Sequence, residues 1–138
     1  MTDATHHPPT PTRLQFLSDW RIIRHREITA GGKLIVEYDM GRLPNFRKRW
    51  READIWNIEI YIRFHPGGQL HKESLLEQVR YGGSGPVIDH LPKHFEIVVP
   101  MDATQAELWF RTFDNVGGFR EAWDSQFGQN YWFSVTRG

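Results

Sequence analysis

IWNIEIYIRF, the stretch Ile55–Phe64, alternates large apolar side chains with polar ones along its whole length. Successive side chains of a β-strand point to opposite faces of a sheet, so this alternation predicts a strand with one buried and one solvated face. The sequence HPGG at 65–68 ends the strand, because proline cannot donate to the sheet ladder and glycine tolerates positive φ. The predicted buried face consists of Trp56, Ile58, Ile60, Ile62 and Phe64, and the solvated face of Asn57, Glu59, Tyr61, Arg63 and His65.

Other short apolar runs of this kind follow, separated by turn residues. They cover 34–39, 95–99, 107–111 and 130–136, and the Gly-Gly pair at 31–32 predicts a hairpin between 20–28 and 34–39. Gln69–Tyr81 fits either a strand or a short helix, and we favour the strand. Many short strands without intervening helices predict an all-β, antiparallel two-sheet sandwich of the immunoglobulin-like type. We expect a core containing Trp56, Ile58, Ile60, Ile62, Phe64, Ile97, Leu108, Phe110, Tyr131 and Phe133.

The length of 138 residues predicts one domain. Residues 1–12 are small, polar or proline and bury nothing, so they are interpreted as a disordered tail preceding a domain at 13–138. The chain has no cysteine, which excludes disulfides, thiolate nucleophiles and cysteine-ligated zinc. No secretory signal pattern and no long apolar run occur, so we expect a cytoplasmic protein.

The charges balance, with 17 basic and 17 acidic residues. A net charge of zero gives no electrostatic drive toward nucleic acid or an anionic membrane, and neither is predicted as a partner. A basic run with interleaved aromatics spans 42–51, but acidic residues follow at once, which favours a solvated loop. The histidine and carboxylate spacings match no metal-site pattern, and no metal or cofactor is predicted.

The segment WDSQFGQNY, residues 123–131, is the most distinctive part of the C-terminal region. It resembles the W-D-N-N-x-G-x-N-Y stretch of starch- and glycogen-targeting carbohydrate-binding modules, which are immunoglobulin-like β-sandwiches. Ser125 and Gln126 stand where those modules carry Asn-Asn. The chain also resembles an uncharacterised family of small bacterial β-sandwich proteins that share R-F-x-P-G-G, here 63–68, and A-W-D-S-x-x-G-x-N-Y-x-F, here 122–133.

Sugar binding needs flat aromatic faces together with planar amides or carboxylates that bond vicinal hydroxyls. The first resemblance therefore implies a ligand site formed by Trp123, Asp124, Asn130, Tyr131 and Trp132. A structural role competes with this hypothesis, and for Trp123 and Asp124 it is the favoured one. In that role Asp124 fixes the loop and Trp123 caps the end of the sandwich.

The solvated face of the Ile55–Phe64 strand offers a second candidate site. Side chains two positions apart stand side by side on a sheet, which groups Glu59, Arg63 and His65. A carboxylate, a guanidinium and an imidazole are the components of an acid–base site, and Asp39 on a neighbouring strand would complete it. The favoured alternative is a solvated face with cross-strand ion pairs.

The leading functional prediction is a non-catalytic ligand-binding module for a glycan or other small polar molecule. The alternative is a small stand-alone biosynthetic enzyme of the hydrolase, isomerase or cyclase type, with His65, Glu59 and Asp39 transferring protons and Arg63 holding an anionic group. A homodimer is the third hypothesis, because exposed aromatic residues also mark subunit interfaces.

Overall fold

The computed structural model describes residues 10–45, 49–50, 53–54, 56–115 and 118–137. Within them the chain forms strands and two 3-10 turns, Met40–Arg42 and Tyr81–Gly83. None of the helical segments described is long or apolar enough to cross a membrane. The strands are β1 (Thr12–Phe16), β2 (Ile22–His25), β3 (Ile28–Thr29), β4 (Lys33–Tyr38), β5 (Arg49–Trp50), β6 (Ala53–Asp54), β7 (Trp56–His65), β8 (Leu70–Ser74), β9 (Leu76–Arg80), β10 (Val87–Pro92), β11 (Phe95–Val98), β12 (Gln105–Asn115), β13 (Phe119–Asp124) and β14 (Tyr131–Thr136).

The strands form two main sheets that pack together, which confirms the all-β sandwich. The smaller sheet has the order β11-β4-β1-β2, and the larger sheet has the order β3-β14-β12-β7-β8 with β13 also paired to β12. The pairs β9–β10 and β5–β6 are separate two-stranded ribbons. Two pairings, β1 with β4 and β14 with β3, are parallel, so the sheets are mixed and not purely antiparallel as predicted.

Strand β7 lies between β12 and β8 in the larger sheet, and its predicted inner face is the buried one. Its other face is not solvated as predicted, because Tyr61 is buried and the remaining residues of that face are partly buried. Ile58, Ile60 and Ile62 are fully buried, and Trp56 and Phe64 are nearly so. From the opposite sheet Phe16 approaches Phe110 edge to face at 4.8 Å between ring centroids. The two inner faces therefore share one core.

The chain path agrees with one sequence-based expectation and departs from two. Gln69–Tyr81 is strand, forming β8 and β9 before the second 3-10 turn. The hairpin across Gly31 is wrong, because β2 pairs with β1 and β3 pairs with β14 of the larger sheet, and neither pairs with β4. Gly31, with φ of 79°, turns the chain from one sheet to the other. The first strand begins at Thr12, within the predicted tail, of which residues 1–9 lie outside the described part.

One edge of β12 carries two strands in series, and this positions the candidate site. Phe110–Asn115 pair with β13, and Gln105–Leu108 pair with β14. The six residues 125–130 leave the sheet between these two pairings and form a loop. The loop therefore projects from the middle of the larger sheet's edge.

Candidate functional site

The segment Trp123–Trp132 distributes its side chains between the two faces of the larger sheet. Trp123 lies opposite Arg111 and Trp132 opposite Glu107, both on the outer face of β12. Asp124 and Tyr131 are the intervening strand residues and point into the sandwich. The five predicted ligand residues are therefore divided between interior and surface.

The inward side chains form a buried polar cluster with Tyr38 and Arg42. Arg42 Nε donates to Asp124 Oδ2 at 2.9 Å, and Tyr38 OH donates to the same oxygen at 2.7 Å. Tyr131 OH donates to Asp124 Oδ1 and accepts from Arg42 Nη2 at 3.0 Å. Arg42 Nη1 also donates to the carbonyl of Leu17 at 2.9 Å.

The pKa values in this cluster follow from burial and from the charge pair. Burial, followed by the hydrogen bond to Asp124, raises the pKa of Tyr131 to about 12. Burial opposes the charge on Arg42, but the hydrogen bond and charge of Asp124 outweigh it and raise the pKa of Arg42. Asp124 and Tyr131 are thus occupied within the protein, which removes them from direct ligand contact. The partners of Asp124 are the side chains of Tyr38, Arg42 and Tyr131, and not the loop backbone amides that the structural hypothesis assigned to it.

Sequence reasoning missed the role of Arg42, which is 2% exposed although its basic run predicts a solvated loop. The other residues of that run lie at 46–51, where the structure describes no side chain. Asp39 begins the 3-10 turn that carries Arg42, and its carboxylate accepts from Gly41 N at 2.8 Å. Asp39 follows β4 of the smaller sheet, so the structure does not bring it to the polar face of β7.

A cleft with a volume of about 570 Å³ lies beside the 125–130 loop. Trp20, Trp123 and Phe127 form its aromatic border, and Asp124, Ser125 and Gln126 complete the lining. Trp20 is 60% exposed, and Phe127 is entirely exposed. The Trp20 ring covers the Arg42 guanidinium at 4.6 Å, so the cleft lies above the buried charge cluster.

The loop displays Phe127 by means of an unusual backbone. Gln126, Phe127 and Asn130 have φ of 51°, 58° and 63°, in the left-handed region that bulky residues rarely adopt. Asn130 N donates to Ser125 O at 2.6 Å and closes the loop at its base. Sequence reasoning did not select Trp20 or Phe127, because their exposure depends on turn geometry and not on alternation.

The outer face of β7 and β12 carries paired charges next to Trp123. Arg111 donates to Glu59 Oε1 at 2.8 Å and to Glu121 Oε2 at 3.0 Å. Tyr61 OH donates to the same Glu59 oxygen at 2.9 Å, and Arg111 lies over the Trp123 ring at 5.4 Å. Cross-strand ion pairs therefore occupy this part of the face, as the favoured alternative predicts.

Farther along the same face, Glu107 joins several of the predicted residues. Its carboxylate accepts from Asn130 Nδ2 at 2.7 Å and lies 2.8 Å from His65 Nε2. The nearest Arg63 nitrogen is 4.0 Å away. Burial opposes ionisation, but the hydrogen bonds from Asn130 and His65 and the charge of Arg63 lower the pKa of Glu107 below its ordinary value.

Trp132 adds an exposed ring to this group. It stacks on the His65 ring with 5.0 Å between centroids, and its Nε1 donates to the carbonyl of Gln129 at 2.8 Å. The structure thus brings together Trp123, Asn130 and Trp132 from one predicted site with Glu59, Arg63 and His65 from the other. Among the residues described, no group of three or more histidine or acidic side chains could hold a metal ion.

The sequence was compared with known proteins. No curated protein matches it. A family model described as a family of unknown function, DUF6209, matches residues 3–136, nearly the whole chain. This match agrees with the resemblance to an uncharacterised family. The description of the family names no ligand and no activity. The chain belongs to the DUF6209 family.

Proposed function

We propose that this protein is a non-catalytic ligand-binding module whose ligand enters the cleft between Trp20, Trp123 and Phe127. The observation that carries the proposal is that three exposed aromatic side chains border one cleft. Single exposed apolar residues are ordinary, but clustered ones mark binding surfaces. The cleft volume of about 570 Å³ lies within the range of roughly 300–1,000 Å³ that small-molecule sites occupy.

The ligand class follows from the chemistry of the cleft. Aromatic faces pack against the apolar faces of sugar rings, while the Gln126 amide and the Ser125 hydroxyl offer hydrogen bonds to hydroxyl groups. The charges beneath the cleft, Arg42 and Asp124, form a buried ion pair with no net charge. These features favour a neutral carbohydrate over a charged metabolite.

Calorimetric titration with oligosaccharides derived from starch, cellulose and xylan tests this proposal. We expect at least one series to bind, and Trp123→Ala to weaken that binding by at least roughly tenfold, which corresponds to about 1.4 kcal/mol. Tyr81→Ala is the matched control, because Tyr81 is also an exposed aromatic residue but lies outside the cleft. Absence of binding to all three series, or equal binding by the Trp123 variant, contradicts the proposal.

The enzyme hypothesis has one observation in its favour, the contact of His65 with Glu107 beside Arg63. A histidine held by a carboxylate is a common arrangement for proton transfer. Two other features oppose it. Asp39 lies in the turn that follows β4 of the smaller sheet, and the Glu59 carboxylate already accepts from Tyr61 and Arg111. We therefore favour the binding module.

A further inference from the structure

A second exposed tryptophan lies on the same face of the larger sheet as Trp123. Trp123 is 47% exposed and Trp132 is 46% exposed. Each is held on one side, Trp132 by stacking on His65 and Trp123 by its contact with Arg111. Both are therefore fixed rings with one side open to solvent.

The sheet register gives the spacing along the strand of the two backbone positions that carry these rings. Trp123 lies opposite Arg111 and Trp132 opposite Glu107, which are four positions apart on β12. At roughly 3.4 Å per residue, the two attachment points are about 14 Å apart along the strand. Trp109 lies between them on the same face, with its ring stacked on Tyr61 at 5.5 Å. A single sugar ring is too short to reach both tryptophans.

We infer that Trp132 and His65 form a second subsite, and that the ligand is a linear oligosaccharide contacting both this subsite and the cleft at Trp123. The inference rests on the proposed function and specifies its substrate class. Beside Trp132, the partly buried amide of Asn130 supplies a planar polar group for hydroxyls. Glu107 is buried, and its two carboxylate oxygens hold Asn130 and His65 in place beside the ring. The second subsite therefore has the same chemical composition as a sugar site.

The charges on this face distinguish between two classes of polymeric ligand, single-stranded nucleic acid and neutral oligosaccharide. Arg111 is paired with Glu59 and Glu121, and Arg63 and His65 both face Glu107. Single-stranded nucleic acid also stacks on aromatic rings, but it requires a positively charged groove. Because the positive charges here are balanced by neighbouring carboxylates, a neutral chain of sugars is the complementary polymer.

The test is the dependence of affinity on oligosaccharide length, measured by calorimetry on the full chain. Within the series that binds, we expect affinity to rise by at least roughly tenfold, or about 1.4 kcal/mol, once the chain spans both tryptophans. Trp132→Ala should abolish that gain, so that long chains bind the variant no more tightly than disaccharides do. Trp132→Phe retains a flat ring and should recover part of the gain, while Tyr81→Ala should retain all of it.

The possible failures are distinguishable. Disaccharides that bind as tightly as long chains, with no effect of Trp132→Ala on the long ones, overturn the second subsite and leave the proposed function standing. Absence of binding at every length overturns the proposed function as well. Binding of oligothymidylate without any oligosaccharide binding overturns both and replaces the ligand class.

Discussion

Within the segment Trp123–Trp132, the two inward strand residues and the two outward ones have opposite environments. Asp124 and Tyr131 are enclosed and hydrogen-bonded to each other and to Arg42, whereas nearly half of each tryptophan side chain meets solvent. The alternation of side chains along a strand accounts for this division. Of these four residues, which have the composition of a sugar site, Asp124 and Tyr131 are therefore part of the fold, and only Trp123 and Trp132 are open to a ligand.

The buried residues also position the exposed aromatic ones. Arg42 joins the Leu17 carbonyl, in the turn that carries Trp20, to Asp124, which directly follows Trp123. A buried ion pair is often close to neutral for stability, because desolvation offsets the attraction of the charges. Its geometric effect here is to hold Trp20 and Trp123 on the two sides of one cleft.

The largest loss of stability that distinguishes the buried residues from the exposed ones is expected for Asp124→Asn. The substitution retains the side-chain shape but leaves Arg42 charged, buried and without its counter-ion. Breaking a buried pair in this way costs about 3–5 kcal/mol. The free energy of unfolding, measured in urea, should fall by that amount.

Asp19→Asn is the matched control for that substitution. Asp19 also pairs with an arginine, Arg21, but both side chains are largely exposed. An exposed pair is screened by water, so the control should unfold at the urea concentration of the parent protein. If the Asp124 variant is no less stable than the control, Arg42 is not a buried charge that depends on Asp124 as its counter-ion.

The sequence predicted the sandwich and the strand β7 because both depend on local alternation. The residues Ile58, Ile60 and Ile62 could be assigned to the core from their spacing alone. The buried cluster could not be predicted, because Asp124 and Arg42 are 82 positions apart and nothing local marks them as partners. The sheet assignment at Gly31 failed for a related reason: a glycine turn fits a hairpin and a crossing between sheets equally well.

The candidate site was predicted in part for the same physical reason. Trp123 and Trp132 were identified from residue type, and the structure places both at the surface. Trp20 and Phe127 were not identified, because a positive φ at each of them determines where the ring points. Alternation carries no information about such turns.

A smaller loss of stability is expected for Tyr131→Phe. The hydroxyl both donates to Asp124 and accepts from Arg42, so its removal leaves each buried charge without one partner, at a cost of about 1–3 kcal/mol. The pKa of Tyr131 is raised to about 12, so its contribution is complete below its ordinary pKa of 10.0. The difference between parent and variant should narrow as the pH rises from about 10 toward 12.

Tyr81→Phe provides the comparison, since Tyr81 is 72% exposed. This variant should match the parent in urea at every pH. A Tyr131 variant with unchanged stability at neutral pH, or with a difference that persists at alkaline pH, would show that the hydroxyl is not part of the cluster's energetics.

The smallest loss of stability is expected for a substitution on the outer face of the larger sheet, at Glu107. Glu107→Gln retains the shape of the group but removes the charge that faces Arg63 and His65, at a cost of about 1 kcal/mol near neutral pH. The pKa of Glu107 is lowered in the folded state, so its contribution is present above the ordinary value of 4.5 and is lost as the pH falls below it. The stability difference between parent and variant should therefore close in acid, while Glu77→Gln, an exposed carboxylate on β9, gives no difference at either pH. A stability difference that persists in acid would mean that Glu107 acts through packing and not through charge. Glu107 would then contribute to stability as an interior residue does, although the tryptophans on the same face are exposed.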